Sequence, residues 1–352
     1  MKSLPERQRL ILKEIVDRYI RLREPVSSRM ILEDYGLTVS SATVRNDMND
    51  LEAHGFIEKP YSSSGRVPTT QGYRFFVEWL LDLGELTREE RLEIVETYAA
   101  RCLDVGETIR QTAFVLADIT GYAAFAVRPE LEQAKLERVL LHRMGEGLVF
   151  LAVISDLGII EHGLLPLEVD ISDEEIARTV NTINQTLRGS SLASIRKLAH
   201  TEDDDEWYER PARQAMLVLS QLLDRRMSKR VETDGLLNLV DDLQRMIPEQ
   251  AMARFAVLSR SLQSKMEFVA ALERVRGEEP GVVVNIGDFP MDGMEDFSVI
   301  SCSYRPHGGV LGVVAPLWMD YGRSLSAATY IAGRLESLLM TSQAEQEKTG
   351  SP

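Results

Sequence analysis

Residues 1–69 alternate between stretches of helical periodicity and residues that end helices. Apolar side chains recur at helical spacing over residues 5–22, which predicts an amphipathic helix that stops before Pro25. A second helix is expected over residues 28–35 and a third over residues 41–54, after which Gly55 acts as a stop. Helices this short are stable only when packed together, so the segment is predicted to form a small helical unit.

A short hairpin is predicted directly after the third helix. Residues 56–60 and 66–69 read as two short strands, and the serine- and glycine-rich run at 61–65 between them favours a turn. Three helices followed by a small hairpin is the element order of the winged helix-turn-helix, a fold that binds duplex DNA. A fourth helix, over residues 70–83, carries aromatic side chains that we expect to pack against this unit or against a partner.

The third helix separates apolar from polar side chains. Val44, Met48 and Leu51 fall on one face at about 100° per residue, and Asn46 and Asn49 fall on the opposite face. Asparagine can pair with adenine, arginine with guanine, and small methyl groups can touch thymine, so the polar face could read bases in a major groove. The alternative is an ordinary solvated helix face, and the hairpin that follows favours DNA binding.

The predicted DNA contacts lie on the third helix and on the hairpin. Serine hydroxyls and free backbone N–H groups at the start of the helix suit phosphates. Arg66 is expected to enter a narrow minor groove, the alternative being an ordinary hairpin tip. The predicted contact residues are Ser40, Ser41, Ala42, Thr43, Arg45, Asn46 and Asn49 of the helix, and Lys59, Tyr61, Ser62, Ser63, Ser64 and Arg66 of the hairpin.

The distribution of charge decides which part of the chain can approach DNA. The formal net charge is −15, which opposes binding to phosphates. Residues 1–84 contain 12 Lys and Arg and 12 Asp and Glu, so this segment is neutral and the rest of the chain holds the whole negative excess. Electrostatic attraction alone would give weak binding, and shape and base contacts must contribute.

The sequence shows no catalytic, cofactor or metal motif, and we expect none of these functions. The histidines lack the spacing of metal ligands, and no serine-nucleophile or paired-cysteine motif occurs. The glycine-rich run 306–312 is expected to be a hairpin turn, and the acidic run 202–206 a solvated segment. Cys102 and Cys302 stand alone, and neither a signal peptide nor a membrane-spanning run is found, which indicates a reduced, cytoplasmic protein.

The rest of the chain predicts a mixed fold of helices and strands. Residues 85–118 are expected to be helical and connecting. The predicted strands are 119–127, then an antiparallel meander of 135–144, 147–155 and 157–165, and later 281–286, 297–304 and 309–316. The predicted helices are 172–187, 191–199, 207–230, 234–246, 250–275 and 320–341. The strand at 119–127 is expected to pair with the three late strands, which makes the meander and its helices an insertion.

Two long motifs in the N-terminal part resemble a known family. The first combines Glu24–Ser28 with Val39–Met48, and the second is the run Pro60–Thr69 followed by Gly72-Tyr73-Arg74. Both are similar to the heat-inducible transcription repressors of bacteria, the HrcA family. Gly312–Pro316 and Met319–Tyr321 resemble the late strand-to-helix motif of the same family.

The resemblance implies an α+β multidomain protein and a function. Its parts would be a winged helix-turn-helix at 1–84, a GAF-like α/β domain at 85–133 and 234–342, an inserted three-strand and helical dimerising domain at 134–233, and a disordered tail at 343–352. It implies a repressor of chaperone operons that binds an inverted repeat of double-stranded DNA as a homodimer and is kept active by the chaperonin GroEL. The alternatives are a winged-helix protein with a small-molecule-sensing or ligase-like C-terminal part, and an interaction protein whose N-terminal unit contacts protein.

Overall fold

The structure is a computed structural model in which the described residues form three β-sheets with helices packed on them. The residues it describes are 4–35, 40–60, 65–101, 105–128, 134–145, 148–156, 160–166, 172–199, 215, 231–240, 248–276, 281–305 and 309–349. Within those ranges, no helix has both the length and the low polarity that crossing a bilayer demands.

The N-terminal unit consists of three helices and a two-stranded hairpin, as predicted. Helices α1 (Glu6–Leu22), α2 (Ser28–Tyr35) and α3 (Ser41–Ala53) precede strands β1 (Ile57–Glu58) and β2 (Val67–Pro68), which pair antiparallel. Helix α4 (Thr70–Phe75) follows and continues as one turn of π-helix over Phe76–Leu80. The fourth helix therefore ends three residues earlier than the sequence predicts.

The rest of the chain alternates between helices and strands. In chain order it comprises α5 (Arg88–Arg101), α6 (Val105–Thr120), β3 (Ala123–Val127), β4 (Leu136–Gly145), β5 (Leu148–Ser155), β6 (Ile160–Pro166), α7 (Asp173–Leu187), α8 (Leu192–Ala199), β7 (Val231–Asp234), α9 (Pro248–Gln263), α10 (Lys265–Val275), β8 (Val282–Ile286), β9 (Phe297–Tyr304), β10 (Gly309–Pro316) and α11 (Tyr321–Thr349).

Five strands form one antiparallel sheet, in the order β7-β3-β10-β9-β8. Strands β3 and β10 are buried along their whole length, so both faces of the sheet centre are covered. Helices α6 and α11 pack against strands β3 and β9, and Phe268 of α10 packs edge-to-face on Phe125 of β3, with ring centroids 5.0 Å apart. The apolar core of this sheet is continuous with that of the N-terminal unit.

Strands β4, β5 and β6 form the predicted antiparallel meander, which lies between β3 and β7 in the chain. One face of the meander buries Val139 and Leu151 against Ile183 of α7, in a core separate from that of the larger sheet. Helix α7 begins with a capping box, in which Ser172 and Glu175 satisfy each other's backbone N–H groups. This part of the chain therefore has the local signals and the private core of an independent unit.

The structure differs from the sequence predictions in several further places. Strand β7 lies between two segments that were predicted to be helical, and no strand was predicted there. It pairs with β3, so β3 has a neighbour that is not one of the late strands. The helix predicted over 250–275 is interrupted at Ser264, between α9 and α10. Helix α11 continues to Thr349, whereas a disordered tail was expected from residue 343. The acidic run 202–206, nearly all of the predicted helix 207–230 and residues 306–308 of the glycine-rich turn lie outside the described residues.

Gly312 occupies the middle of β10, where any side chain would collide with its neighbours. A Cβ at this position would overlap the carbonyl oxygen of Ile300 and lie 2.6 Å from Phe125 Cζ. Because a backbone oxygen in a paired strand cannot move aside, we expect Gly312→Ala to lower the free energy of unfolding by about 3 kcal/mol or more. Urea unfolding followed by circular dichroism measures this change.

The matched control is Gly333→Ala in helix α11, where an added Cβ meets no atom within 4 Å. We expect this substitution to raise the free energy of unfolding by up to about 1 kcal/mol, because alanine loses less backbone entropy in a helix. Similar stabilities for Gly312→Ala and the unmodified chain would show that β10 is not packed as described.

Candidate nucleic-acid interface

Helix α3 is anchored to the N-terminal unit by its apolar face. Val44, Met48 and Leu51 are buried, as predicted, in the same core as Ile11 and Ile15 of α1. The apolar stripe is narrow, since one residue in three or four along the helix contributes to it. Hydrophobic burial therefore holds the helix against the core with its polar face turned outward.

The start of α3 is fixed by serine hydroxyls. Ser40 is the N-cap residue, and its Oγ accepts a hydrogen bond from the Thr43 backbone N–H at 3.1 Å. The Oγ atoms of Ser41 and Ser28 lie 3.4 Å apart, which brings the first turns of α2 and α3 together. The Ser40 hydroxyl is thus engaged in capping, while the first backbone N–H groups of α3 carry the positive end of the helix dipole.

Two polar links between α1 and α3 were missed by the sequence analysis. Arg7 donates from Nε to Asp47 Oδ2 at 2.6 Å and from Nη2 to Asp47 Oδ1 at 3.1 Å, and Asp47 is buried. Gln8 Nε2 donates to Asp50 Oδ2 at 3.3 Å. The signal that could have revealed the first link is a carboxylate at an inward helical position, because a buried charge requires a partner.

The opposite face of α3 is polar and open to solvent. The exposed residues there are Ser41, Ala42, Arg45, Asn46 and Asn49, and Thr43 is half-buried. Neither the side chain of Arg45 nor that of Asn46 forms a hydrogen bond or ion pair with any residue that the structure describes. The structure therefore brings these predicted site residues together on one surface.

The arginine of the hairpin is oriented differently from the prediction. Arg66 is only 8% exposed, and its Nη2 lies 3.0 Å from Asn49 Oδ1 and 2.7 Å from Glu52 Oε2. Its side chain thus points toward α3 and is not placed to enter a minor groove. Lys59 is exposed, with Nζ 3.8 Å from Glu52 Oε2. The predicted contacts Tyr61, Ser62, Ser63 and Ser64 lie outside the described residues.

The described residues offer little for metal or nucleophilic chemistry. No three His, Cys, Asp or Glu side chains within these ranges are grouped so that they could hold a metal ion. Burial raises the pKa of the Cys302 thiol to about 11, which leaves it protonated and unreactive at neutral pH. Cys102 lies outside the described residues.

Known proteins are similar to this chain over nearly its whole length. The family model described as "HrcA protein C terminal domain" matches residues 106–325. A heat-inducible transcription repressor HrcA of Halalkalibacterium halodurans is 32% identical over 342 residues, which are 96% of this chain and 98% of the relative. This chain belongs to the HrcA family. The HrcA repressor of Moorella thermoacetica is 30% identical over 354 residues, with 96% and 98% of the two chains covered.

A solved structure shares the fold of this HrcA-family chain. A crystal structure of a hypothetical protein at 2.2 Å resolution matches it with a TM-score of 0.67 and 26% sequence identity, over 97% of this chain and 100% of that chain. The family consists of transcription repressors and not of enzymes, which excludes the ligase-like alternative.

Two arginines join the N-terminal unit of this HrcA-family chain to the five-stranded sheet. Arg23 Nη1 donates to the Trp318 carbonyl oxygen at 2.6 Å, and its guanidinium lies 6.0 Å from the centre of the Trp318 ring. Arg74 donates from Nε and Nη2 to the Ile286 carbonyl oxygen at 3.0 and 2.8 Å, and Nη2 lies 3.1 Å from Asp288 Oδ2. Because the acceptors include backbone carbonyls at strand ends, the orientation of α3 is fixed relative to the sheet.

Asp17 of α1 lies at the same junction in an unfavourable environment. Burial raises its pKa from the ordinary 3.8 to about 6. Nearby charges act in both directions, because Lys13 and Arg21 lower the pKa while Glu14 and Asp320 raise it. The junction therefore favours the protonated form of Asp17.

We expect the stability of this HrcA-family chain to decrease as the pH rises from about 4 to about 6. The reason is that Asp17 binds its proton more tightly in the folded state than in the unfolded state. Asp17→Asn should remove this component and raise the free energy of unfolding above pH 6 by roughly 1 kcal/mol, a value already reduced for solvent screening of a partly exposed group. Thermal unfolding at several pH values measures the effect. Glu33→Gln, which alters an exposed ion pair with Arg29, serves as the control. Identical pH profiles for Asp17→Asn and the unmodified chain would contradict the prediction.

Proposed function

We propose that this chain represses heat-shock chaperone genes by binding an inverted-repeat operator in double-stranded DNA. The observation that carries the proposal is the exposed face of α3, from which Arg45 and Asn46 project without partners among the described residues. In this proposal residues 1–84 act as a winged helix-turn-helix, with α3 in the major groove and the β1–β2 hairpin as the wing. Family membership supports the same function.

The side chains on α3 would contact bases. Arg45 suits the acceptor pair of guanine, Asn46 suits the donor and acceptor of adenine, and the methyl groups of Ala42 and Thr43 suit thymine. These residues are compact enough for the backbone of α3 to lie deep in the groove. Asn49 lies on the same face, and its amide oxygen accepts a hydrogen bond from Arg66.

The ends of the unit would contact phosphates. Because the Ser40 hydroxyl is engaged in capping, the backbone N–H groups beside Ser40 and Ser41 are the groups that suit a phosphate at the start of α3. Lys59 offers an exposed cation on the wing, and residues 61–64 are proposed to follow the backbone of the duplex.

The proposed domains follow the two cores of the protein. Residues 85–133 and 231–342 would form the GAF-like domain, and residues 134–230 the inserted domain. Because β7 begins at Val231 and belongs to the larger sheet, we place the end of the insertion at residue 230.

The outer face of the meander is proposed as the dimer contact. Leu140, Met144 and Leu164 are 43%, 59% and 55% exposed there, and the register places His142, Phe150 and Leu164 in one row across the three strands. Such a row points to one side of the sheet. A second copy of the chain would cover this face, and the twofold symmetry of the pair matches that of an inverted repeat.

The neutral charge of residues 1–84 gives a physical reason for dimerisation. A single neutral unit gains little from phosphate attraction, whereas two units on one frame bind two half-sites with a large gain in effective concentration. The chaperonin GroEL stays a proposed partner on the family resemblance alone.

Arg45→Ala and Asn46→Ala test base reading. We expect each to weaken binding to an inverted-repeat operator by about 1–3 kcal/mol, which is roughly 5- to 150-fold, with a smaller change on random duplex. Fluorescence anisotropy titrations at one salt concentration measure both affinities. Arg260→Ala, which removes an exposed arginine of α9, is the matched control and should leave both affinities unchanged. Equal losses on operator and random duplex would argue against base reading by α3.

Leu140→Asp and Leu164→Asp test the dimer contact. A carboxylate on the covered apolar face should yield monomers and weaken operator binding at physiological salt by at least roughly 100-fold, because the two units would no longer bind as one. Light scattering and anisotropy measure the two effects. Leu237→Asp changes a leucine that is 76% exposed outside the meander and should leave the dimer intact. Monomeric variants with full operator affinity would refute this role.

A further inference from the structure

The amide orientation of Asn49 is dictated by Arg66. Arg66 Nη2 lies 3.0 Å from Asn49 Oδ1. A guanidinium has donors and no acceptor, so the amide atom that faces it must be the oxygen. The amide NH2 group of Asn49 therefore points away from Arg66. It meets no acceptor among the described residues, and Asn49 itself is exposed.

Arg66 is held in this position by contacts that do not involve Asn49. Its backbone N–H donates to the Val26 carbonyl at 2.8 Å, and its carbonyl accepts from the Val26 N–H at 2.8 Å. Its Nη2 lies 2.7 Å from Glu52 Oε2, and the residue is 8% exposed. The backbone of Arg66 is thus fixed by Val26 and its guanidinium by Glu52, independently of Asn49.

The charge of Arg66 is largely neutralised where it lies. Glu52 of α3 provides a carboxylate beside the guanidinium, so Arg66 offers little net attraction to a phosphate. Lys59, with its ammonium group 3.8 Å from the same carboxylate and exposed to solvent, is the better placed cation of the hairpin. The geometry of Arg66 suits the positioning of a neighbour better than direct contact with DNA.

We infer that Arg66 is a positioning residue that presents Asn49 to the operator as a hydrogen-bond donor. This inference rests on the proposed function and deepens it. An asparagine with a free amide can accept from adenine N6 and donate to adenine N7 together. Asn49 has its oxygen directed at Arg66 and its NH2 group free, so it suits base-edge acceptors, namely N7 of guanine or adenine, O6 of guanine and O4 of thymine. Asn46, whose amide has no described partner, keeps both modes.

The test is a double-mutant cycle on the full-length chain. Asn49→Ala, Arg66→Met and the double variant are compared with the unmodified chain on an inverted-repeat duplex selected by that chain from a random library. Methionine fills the buried volume of the arginine stem without donors. Affinity, the preference at each base pair and the dependence on salt are measured on the selected duplex and on random duplex.

We expect Arg66→Met and Asn49→Ala each to weaken binding to the selected duplex by roughly tenfold, with the preference lost at the same base pair. The double variant should be no weaker than Asn49→Ala, because Arg66 acts through Asn49. Asn49→Asp should keep the pairing with Arg66 and still bind at least as weakly as Asn49→Ala, because a carboxylate has no donor. Lys59→Ala should weaken both duplexes alike and reduce the salt slope by about one.

Three results would overturn the inference. The first is that Arg66→Met loses affinity equally on both duplexes and shows a reduced salt slope. The second is that the losses are additive in the double variant, and the third is that Asn49→Asp binds like the unmodified chain. Should Arg66→Met fail to fold, Asn49→Asp decides the question with Arg66 in place. Failure of the proposed function is distinguishable, since the unmodified chain would then select no sequence from the library.

Discussion

The ion pair between Arg7 and Asp47 fixes the rotation of the helix that carries the unpartnered polar groups. The apolar stripe of α3 is narrow, and a turn of one residue about the helix axis would move every side chain by about 100°. Asp47 is buried and makes two hydrogen bonds to one guanidinium, which permits a single orientation. Loss of the arginine would leave the buried Asp47 carboxylate without this partner, which is unfavourable because a buried charge requires one.

The sequence predicts those parts of the fold that depend on local periodicity. The inward and outward faces of α3 follow from its helical spacing, and the meander follows from alternation and tight turns. Strand β7 could not be predicted in this way, because it is four residues long and exists through its pairing with β3, about a hundred residues earlier in the chain. Sequence reasoning placed the predicted contact residues of α3 on one face but did not predict the contacts that they make. The partner of Arg66 depends on how the hairpin folds back onto α3, and no spacing encodes that distance.

The polar surface formed by α3 and the β1–β2 hairpin is small, and its charges are balanced. Glu52 compensates the hairpin cations, and the N-terminal segment as a whole carries no net charge. In the proposed repressor, discrimination among sequences then depends on a few directional hydrogen bonds and on shape, with a modest counterion contribution. The strongly acidic remainder of the chain disfavours contact with DNA by any other surface.

The contacts of Arg23 and Arg74 with backbone carbonyls have a consequence for operator geometry. They hold the N-terminal unit, and α3 with it, against the sheet without a loose tether, so this part of the proposed dimer acts as a stiff frame for each recognition helix. B-form DNA repeats its groove every 10 base pairs or so. When the spacing between half-sites changes by a whole turn of the duplex, a stiff frame loses far more affinity than a tethered pair of units does. A change of half a turn carries one half-site to the far side of the double helix, and a stiff frame rejects it.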